Sequence, residues 1–256
     1  MTALGQGWLM MNRHLLNLWR QPIWIFVTLV QPVVWLLLYG ALFKNVVRIP
    51  GFHSGSYIQF IAPGVVVMTA LFNSGWSGMA VIDDIKTGVF DRFLTSPAVR
   101  SSLVLGRLLQ GTVIVIVQSV FIIVLALIVG ARFPNAWGVL VLIAVASLLA
   151  AAIGALSYGL APVSRREETV IAVMNFVLLP LTFLSTTFMQ KSLIPHWMRV
   201  CAEFNPVNWA VEAGRAAVLP GTDWGMVGTR AALLVVLCAA CLALSTAAFR
   251  AYQRTV

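Results

Sequence analysis

Six runs of this chain, at residues 23–43, 58–82, 108–130, 137–160, 169–190 and 231–249, contain no Asp, Glu, Lys or Arg. About 20 predominantly apolar residues is the length at which a helix crosses the hydrocarbon core of a bilayer. Composition supports reading all six as membrane spans. Of the 256 residues, 60% are hydrophobic and 10% charged, whereas soluble domains hold roughly 45–50% apolar and about 25% charged residues. A soluble chain of this size still needs a polar skin, so it has nowhere to bury that much apolar surface. The expected fold class is therefore an all-α membrane protein, a single transmembrane domain over residues 1–256 with six transmembrane helices. The first apolar run lacks a small-residue cleavage site and is expected to be retained as a span. Pro32 and Pro180 lie inside spans, where a proline kink is tolerated.

Residues 7–21 read differently. Trp8, Met11, Leu15, Leu18 and Trp19 share one helical face, and Arg13, Asn17 and Arg20 the other. Such a segment suits the plane of the headgroups and predicts an N-terminal interfacial helix. The net charge of +9 would suggest nucleic acid in a soluble protein. Here the basic residues stand singly between apolar runs, as in loops and helix ends at a membrane surface, and no nucleic-acid partner is expected.

An even number of spans puts both termini on one side. Segments 1–22, 83–107, 164–168 and 250–256 hold ten of the 17 Lys and Arg residues, close to span ends, which predicts that these segments and both termini are cytoplasmic. Residues 191–230 are too polar to span. Pro195, Pro206 and Pro220 divide them, yet Val207 to Leu219 has helical apolar spacing, with Glu212 and Arg215 as an i,i+3 pair. This region is expected to form short external re-entrant helices buried in protein.

Ser147, Ala151, Ala155 and Gly159 recur at every fourth position, as do Ala239, Ala243 and Ala247. These small-residue faces predict close packing of spans four and six. Cys201, Cys238 and Cys241 form no disulfide framework. The last two form a CxxC within an apolar run, where hydrocarbon opposes a stabilised thiolate, so they read as packing residues.

A phosphate-binding P-loop requires Gly-Lys-Ser/Thr. The three lysines, Lys44, Lys86 and Lys191, follow Phe43, Ile85 and Gln190. No such motif exists in the chain, and any ATP hydrolysis must come from another polypeptide. The inside loop at 83–100 reads DDIKTGVFDRFLTSPAVR. Asp83 or Asp84 can cap a helix start, with Ile85, Val89, Phe90, Phe93 and Leu94 as an apolar stripe, Asp91 and Arg92 solvated, and Thr95-Ser96-Pro97 as a stop. The pattern alone serves a mechanical lever or an ordinary connector equally.

These residues resemble the transmembrane subunits of ABC-2 type exporters. The loop, including Lys86 and Gly88, is similar to the family's acidic–Gly–(Leu/Phe)–Glu/Asp–(Arg)–Leu…Ser-Pro element between spans two and three, which contacts the ATPase subunit. Asn205-Pro206…Glu212-Ala213…Arg215 looks like the family's Asn-Pro…Glu-Ala…Arg element before the last span, with Trp209 and Gly214 departing from its usual wording. The Gly88–Phe93 wording is similar to the daunorubicin-resistance-type branch. The resemblance implies a permease in the bacterial cytoplasmic membrane that exports an amphipathic drug-like, lipid or glycan substrate. It further implies two copies of a separate ATPase subunit, which bind ATP and Mg²⁺, and a second transmembrane subunit, identical or homologous, with no cofactor in this chain. Residues 83–94 would be the coupling element. Trp35, Phe72, Trp76 and Met79 are candidate path-lining side chains, on a path expected to be apolar.

Two rival classes fit less well. Gly75-Trp76-Ser77-Gly78 matches the GxSG of rhomboid intramembrane proteases, but the sixth span has no histidine to activate the serine. Zinc-hydrolase patterns are missing. An ion-coupled secondary transporter usually keeps ionisable residues within its spans, and these spans have none.

Overall fold

The structure, a computed structural model, describes residues 22–50, 52, 55–87, 100–164, 166–219 and 221–253. All regular structure among them is helical: α1 (Pro22–Leu42), α2 (Tyr57–Gly75), α3 (Met79–Lys86), α4 (Arg100–Ile128), α5 (Ala136–Ser164), α6 (Glu167–Phe183), α7 (His196–Phe204), α8 (Pro206–Val218) and α9 (Trp224–Gln253). The interfacial helix expected at 7–21 lies outside the described residues.

Four described helical stretches are long and apolar enough to cross a bilayer: Tyr57–Lys86, Leu109–Ile128, Ala136–Ser164 and Trp224–Ala248. The stretch Thr28–Leu42 is apolar but shorter, and α6 has 17 residues. Several boundaries differ from the sequence reading, each for a physical reason. Helix α4 starts at Arg100 rather than near 108, because Arg107 falls inside the helix instead of ending it. Helix α9 starts at Trp224 rather than 231. Asp223 Oδ1 accepts from the amides of Gly225 (3.0 Å) and Met226 (3.1 Å), a capping arrangement that opens the helix well before Arg230. Helix α6 ends at Phe183, not 190. Its last turn gives way where Thr182, Ser185 and Thr187 hydroxyls bond the local backbone and one another, the competition that disfavours Ser and Thr in helices. Asp83 and Asp84 do not begin a helix either. They lie in the last turn of α3, where Thr87 N still bonds Asp83 O at 2.9 Å.

Helices α2 and α5 form the centre: most of α2 is buried, and α5 packs against helices on several sides while exposing Trp137, Leu140 and Val163. Helix α5 touches α2, α3, α4, α6, α8 and α9. On the outside, α4 exposes Val117, Val120, Phe121, Val124 and Leu127, and α6 exposes Val173, Phe176 and Val177. Contiguous apolar faces like these are avoided on soluble surfaces, and hydrocarbon is the solvent that suits them. At the end of α4, Gly130 adopts φ of 103°. That left-handed conformation lets Ala131 N reach back to Ala126 O at 2.9 Å, and it explains the glycine there.

Helices α5 and α9, expected as spans four and six, pack closely, as the small residues suggest, with one correction. Helix α5 uses the expected face: Ala151 and Ala155 meet α9, and a Cβ on Gly159 would sit 3.1 Å from Ser245 Cα. The α9 side of the contact is Cys238, Cys241 and Ser245, while Ala239, Ala243 and Ala247 are exposed. Both faces of α9 carry small residues, and neighbouring α5 decides which is buried. Cys238 and Cys241 are free thiols in this helix contact, the packing role expected of them.

Candidate functional site

A cavity of about 400 Å³ opens between α1, α2, α3, α4 and α5. Helices α1 and α4 line it from near mid-length, α2 from its C-terminal half, α3 from its first turn and α5 from its second half. The expected path residues Trp35, Phe72, Trp76 and Met79 all line it. Phe72 and Trp76, one helical turn apart, tilt together at 6.0 Å between ring centroids. The lining also contains Gln31, Asn73, Gln110 and Gln118, together with several Ser and Thr hydroxyls, and no charged residue among the described residues. The cavity wall is mainly apolar, with these amides and hydroxyls set among the aromatic and aliphatic side chains. Its four amide side chains come from three different helices, so no local spacing marks them in the sequence.

The GxSG match is a helix joint. Between α2 and α3 the backbone tightens into a 3-10 turn at Trp76–Gly78. Ser157 of α5 donates its hydroxyl to Gly75 O (2.5 Å) and accepts from Gly78 N at 3.0 Å. A Cβ on Gly75 would fall 2.4 Å from Leu178 Cδ1, and one on Gly78 would fall 2.5 Å from Ser157 O. The glycines are there because α5 and α6 approach the backbone closely. Ser77 donates to Ser74 O at 2.5 Å, an ordinary intrahelical bond.

Of the residues expected to form a coupling element, Asp83, Asp84, Ile85 and Lys86 are described, and Gly88, Val89, Phe90, Asp91, Arg92, Phe93 and Leu94 lie outside the described residues. The eight-residue helix α3 leads from Met79, on the cavity wall, to Lys86, the last helical residue before that loop. Val81 and Ile82 are buried, Ile85 packs against the core, and Asp83 and Lys86 are exposed. Lys86 forms a partly exposed ion pair with Glu167 in the first turn of α6, so the end of α3 meets the start of α6.

At the opposite end, the Asn-Pro element holds the irregular segment that follows α6. Asn205 caps α8 by accepting from Val207 N (2.9 Å), with Pro206 at the first helical position. The same side chain donates to Leu181 O (2.6 Å) and Leu184 O (3.0 Å). Asn208 Oδ1 accepts from Thr186 N at 3.0 Å and from its hydroxyl at 2.6 Å. Arg215 donates to Thr186 O (3.0 Å), Thr187 O (3.3 Å) and Phe60 O (3.3 Å), with its guanidinium 3.7 Å from the centroid of the Phe60 ring. Burial pulls the Arg215 pKa down to about 9, opposed by Glu212 and Tyr57, and it remains a cation at neutral pH.

Glu212 does not pair with Arg215, as the i,i+3 spacing predicts. It lies 2.9 Å from Arg230 of α9, and both are more than four-fifths buried. Arg230 was not singled out in the sequence, because its partner is a residue on a different helix. Gly214, the departure from the family wording, sits where a Cβ would come within 2.4 Å of Leu142 Cδ1. Here α5 supplies the bulk that the glycine lacks.

These features define an integral membrane protein of several apolar helices around a cavity whose described lining carries no charge. Residues 5–219 match the ABC-2 type transporter family, and the chain belongs to it. It is 28% identical to the daunorubicin resistance ABC transporter permease protein DrrB1 of Streptomyces coeruleorubidus, over 78% of this chain and 73% of that one. It is 25% identical to the inner membrane transport permease YadH of Escherichia coli K12, over 93% and 91%. It is 27% identical to the transport permease ycf38 of Porphyra purpurea, over 84% and 74%. The chain is a transmembrane subunit of an ABC transporter, a class of permease that works with an ATP-binding subunit.

Proposed function

We propose that this chain is the permease of an exporter in a bacterial cytoplasmic membrane, driven by two copies of a separate ATP-binding subunit. Two permease subunits, identical or homologous, complete the complex. The cargo is amphipathic and drug-like, in keeping with the daunorubicin resistance named for one relative. In this reading α1 and α6 join the four longer helical stretches to make six spans, and α7 and α8 are re-entrant on the outside. The observation that carries it is the continuity of α3, which runs from the cavity wall at Met79 to Lys86 at the threshold of the coupling loop. ATP-driven closure of the partner subunits would push on residues 83–94, and α3, pinned to α6 through Lys86 and Glu167, would carry the displacement to Trp76 and Met79. ATP and Mg²⁺ belong to the partner.

The test is co-reconstitution. Proteoliposomes holding this chain and its ATP-binding subunit are expected to expel a loaded amphipathic drug on addition of ATP and Mg²⁺, and the chain alone is expected neither to bind nor to hydrolyse ATP. ATP-independent efflux driven by an ion gradient would instead establish a secondary carrier.

Topology has its own experiment. Single cysteines placed in a cysteine-free chain should react with an impermeant maleimide from outside at position 53 and not at position 90, since both termini and residues 83–107 are assigned to the cytoplasm. The opposite labelling pattern would invert the assignment.

A further inference from the structure

One side chain reaches into the backbone of the helical stretch Tyr57–Lys86. In an unbroken α-helix the Gly75 carbonyl would accept from Met79 N, and the Gly78 amide would donate to Ser74 O. Here Met79 N turns to Trp76 O, in the 3-10 manner, and the Ser77 hydroxyl donates to Ser74 O at 2.5 Å. Ser157 Oγ serves both of the other groups, donating to Gly75 O (2.5 Å) and accepting from Gly78 N (3.0 Å). Ser157 itself is fully buried. A side chain inserted into the hydrogen-bond ladder is a recognised cause of a break in a helix. Within a membrane, neighbouring Ser and Thr side chains are what re-satisfy the freed backbone groups.

The break lies on the cavity wall. Trp76 and Ser77, inside the turn, and Met79 and Ala80, just after it, all line the cavity, and α3 continues to Lys86. A 3-10 helix has about three residues per turn and rises about 2.0 Å per residue, against about 3.6 and 1.5 Å in an α-helix. Rewinding Trp76–Gly78 into α geometry would therefore turn α3 by about 60° about its axis and draw it about 1.5 Å toward α2. Gly75 and Gly78 carry no side chain to oppose that turn.

We propose that Ser157 is a positioning residue for coupling, its hydroxyl clasping a joint with two states. With the clasp closed the joint is the 3-10 turn. With it released, α2 and α3 become one helix whose own ladder pairs Gly75 O and Gly78 N. The proposal rests on the exporter reading for its role, which is to convert a push on the coupling loop into rotation of Met79 and Ala80 at the cavity wall.

Ser157→Ala removes the clasp and adds no bulk. Spin labels on Asp83→Cys and Thr246→Cys, both exposed positions, in the cysteine-free chain in phosphatidylcholine nanodiscs report the turn of α3 against α9. Ser157→Ala is expected to shift the distance between them by several ångströms, since a turn of about 60° moves a side chain about 5 Å from the helix axis by a similar length. In proteoliposomes holding the unlabelled chain and its ATP-binding subunit, Ser157→Ala should keep the wild-type ATPase rate. Its efflux per ATP hydrolysed should fall about tenfold, the weight of one buried hydrogen bond in the balance between the two states. Ser157→Cys, with a weaker donor and acceptor on the same frame, should fall between the two on both readouts. The thermal midpoint should change little, because the rewound ladder pairs both backbone groups.

An unchanged label distance, or efflux per ATP that stays at the wild-type level, overturns the inference and leaves Ser157 a helix-packing residue. The two readings fail separately. If the wild type shows ATP-driven efflux and the label distance ignores Ser157→Ala, the joint falls and the exporter stands. If the distance shifts and the wild type shows no ATP-dependent efflux, the joint stands and the exporter falls, taking the coupling role with it.

Discussion

Arg215→Met is expected to lower the thermal midpoint of the purified permease by roughly 10 °C, the largest stability effect of any single change outside the two central helices. Among the described residues, Arg215 is the one side chain that bonds both the irregular Thr186–Thr187 backbone and the first turn of α2, so it holds three segments together. Removing it leaves buried carbonyls on Thr186 and Thr187 unpaired, at about 1–3 kcal/mol each. A total near 3 kcal/mol, at about 2–4 °C per kcal/mol for a protein of this size, sets the expected shift. Arg215→Lys should recover less than half of the loss, because an ammonium cannot reproduce a planar fork that reaches three acceptors. Gel filtration of detergent-solubilised protein after heating, followed by intrinsic fluorescence, measures both variants. A wild-type midpoint for Arg215→Met would mean that the carbonyls find other donors and that the Asn-Pro element does not anchor this end of the bundle.

The element was legible in the sequence, but its role was not. Spacing along a helix puts Glu212 beside Arg215, and that is where local reasoning leads. The pairs that form are long-range, Glu212 with Arg230 and Arg215 with the carbonyls after α6, and they depend on a chain break that Ser185, Thr186 and Thr187 cause in an uncharged run. Charge was a good guide to where apolar runs lie, since each of the six contains a helix, and a poor guide to where helices end. Arg107 and Arg230 both sit inside them. The phase of α9 failed for a related reason: small residues occupy two of its faces, and only contact with α5 decides between them. The aromatic side chains picked out for the path do share one cavity. The amides that accompany them, on α1, α2 and α4, have no periodicity to reveal them.

The largest functional effect is expected in a segment whose composition, not its geometry, carries the argument. If residues 83–94 seat in a groove of the ATP-binding subunit, the apolar stripe supplies the affinity and the charges set the register. Truncating a well-buried aromatic at the centre of an interface costs on the order of 2 kcal/mol or more. Two such losses lower affinity by about a thousandfold. The double variant Phe90→Ala, Phe93→Ala is therefore expected to lose the ATP-binding subunit on affinity purification and to abolish ATP-driven efflux, while accumulating in the membrane like the wild type. Asp91→Ala and Arg92→Ala should keep the partner bound at low salt and shed it more readily as salt rises, because rim charges act mainly on encounter rate and screening. Described structure supports the site of attachment: α3 is packed through Val81 and Ile82 and tied by Lys86 to Glu167, so force applied beyond Lys86 meets a rigid base rather than a slack linker. Full efflux from the folded double variant would reduce this loop to a connector and leave α3 with nothing to transmit.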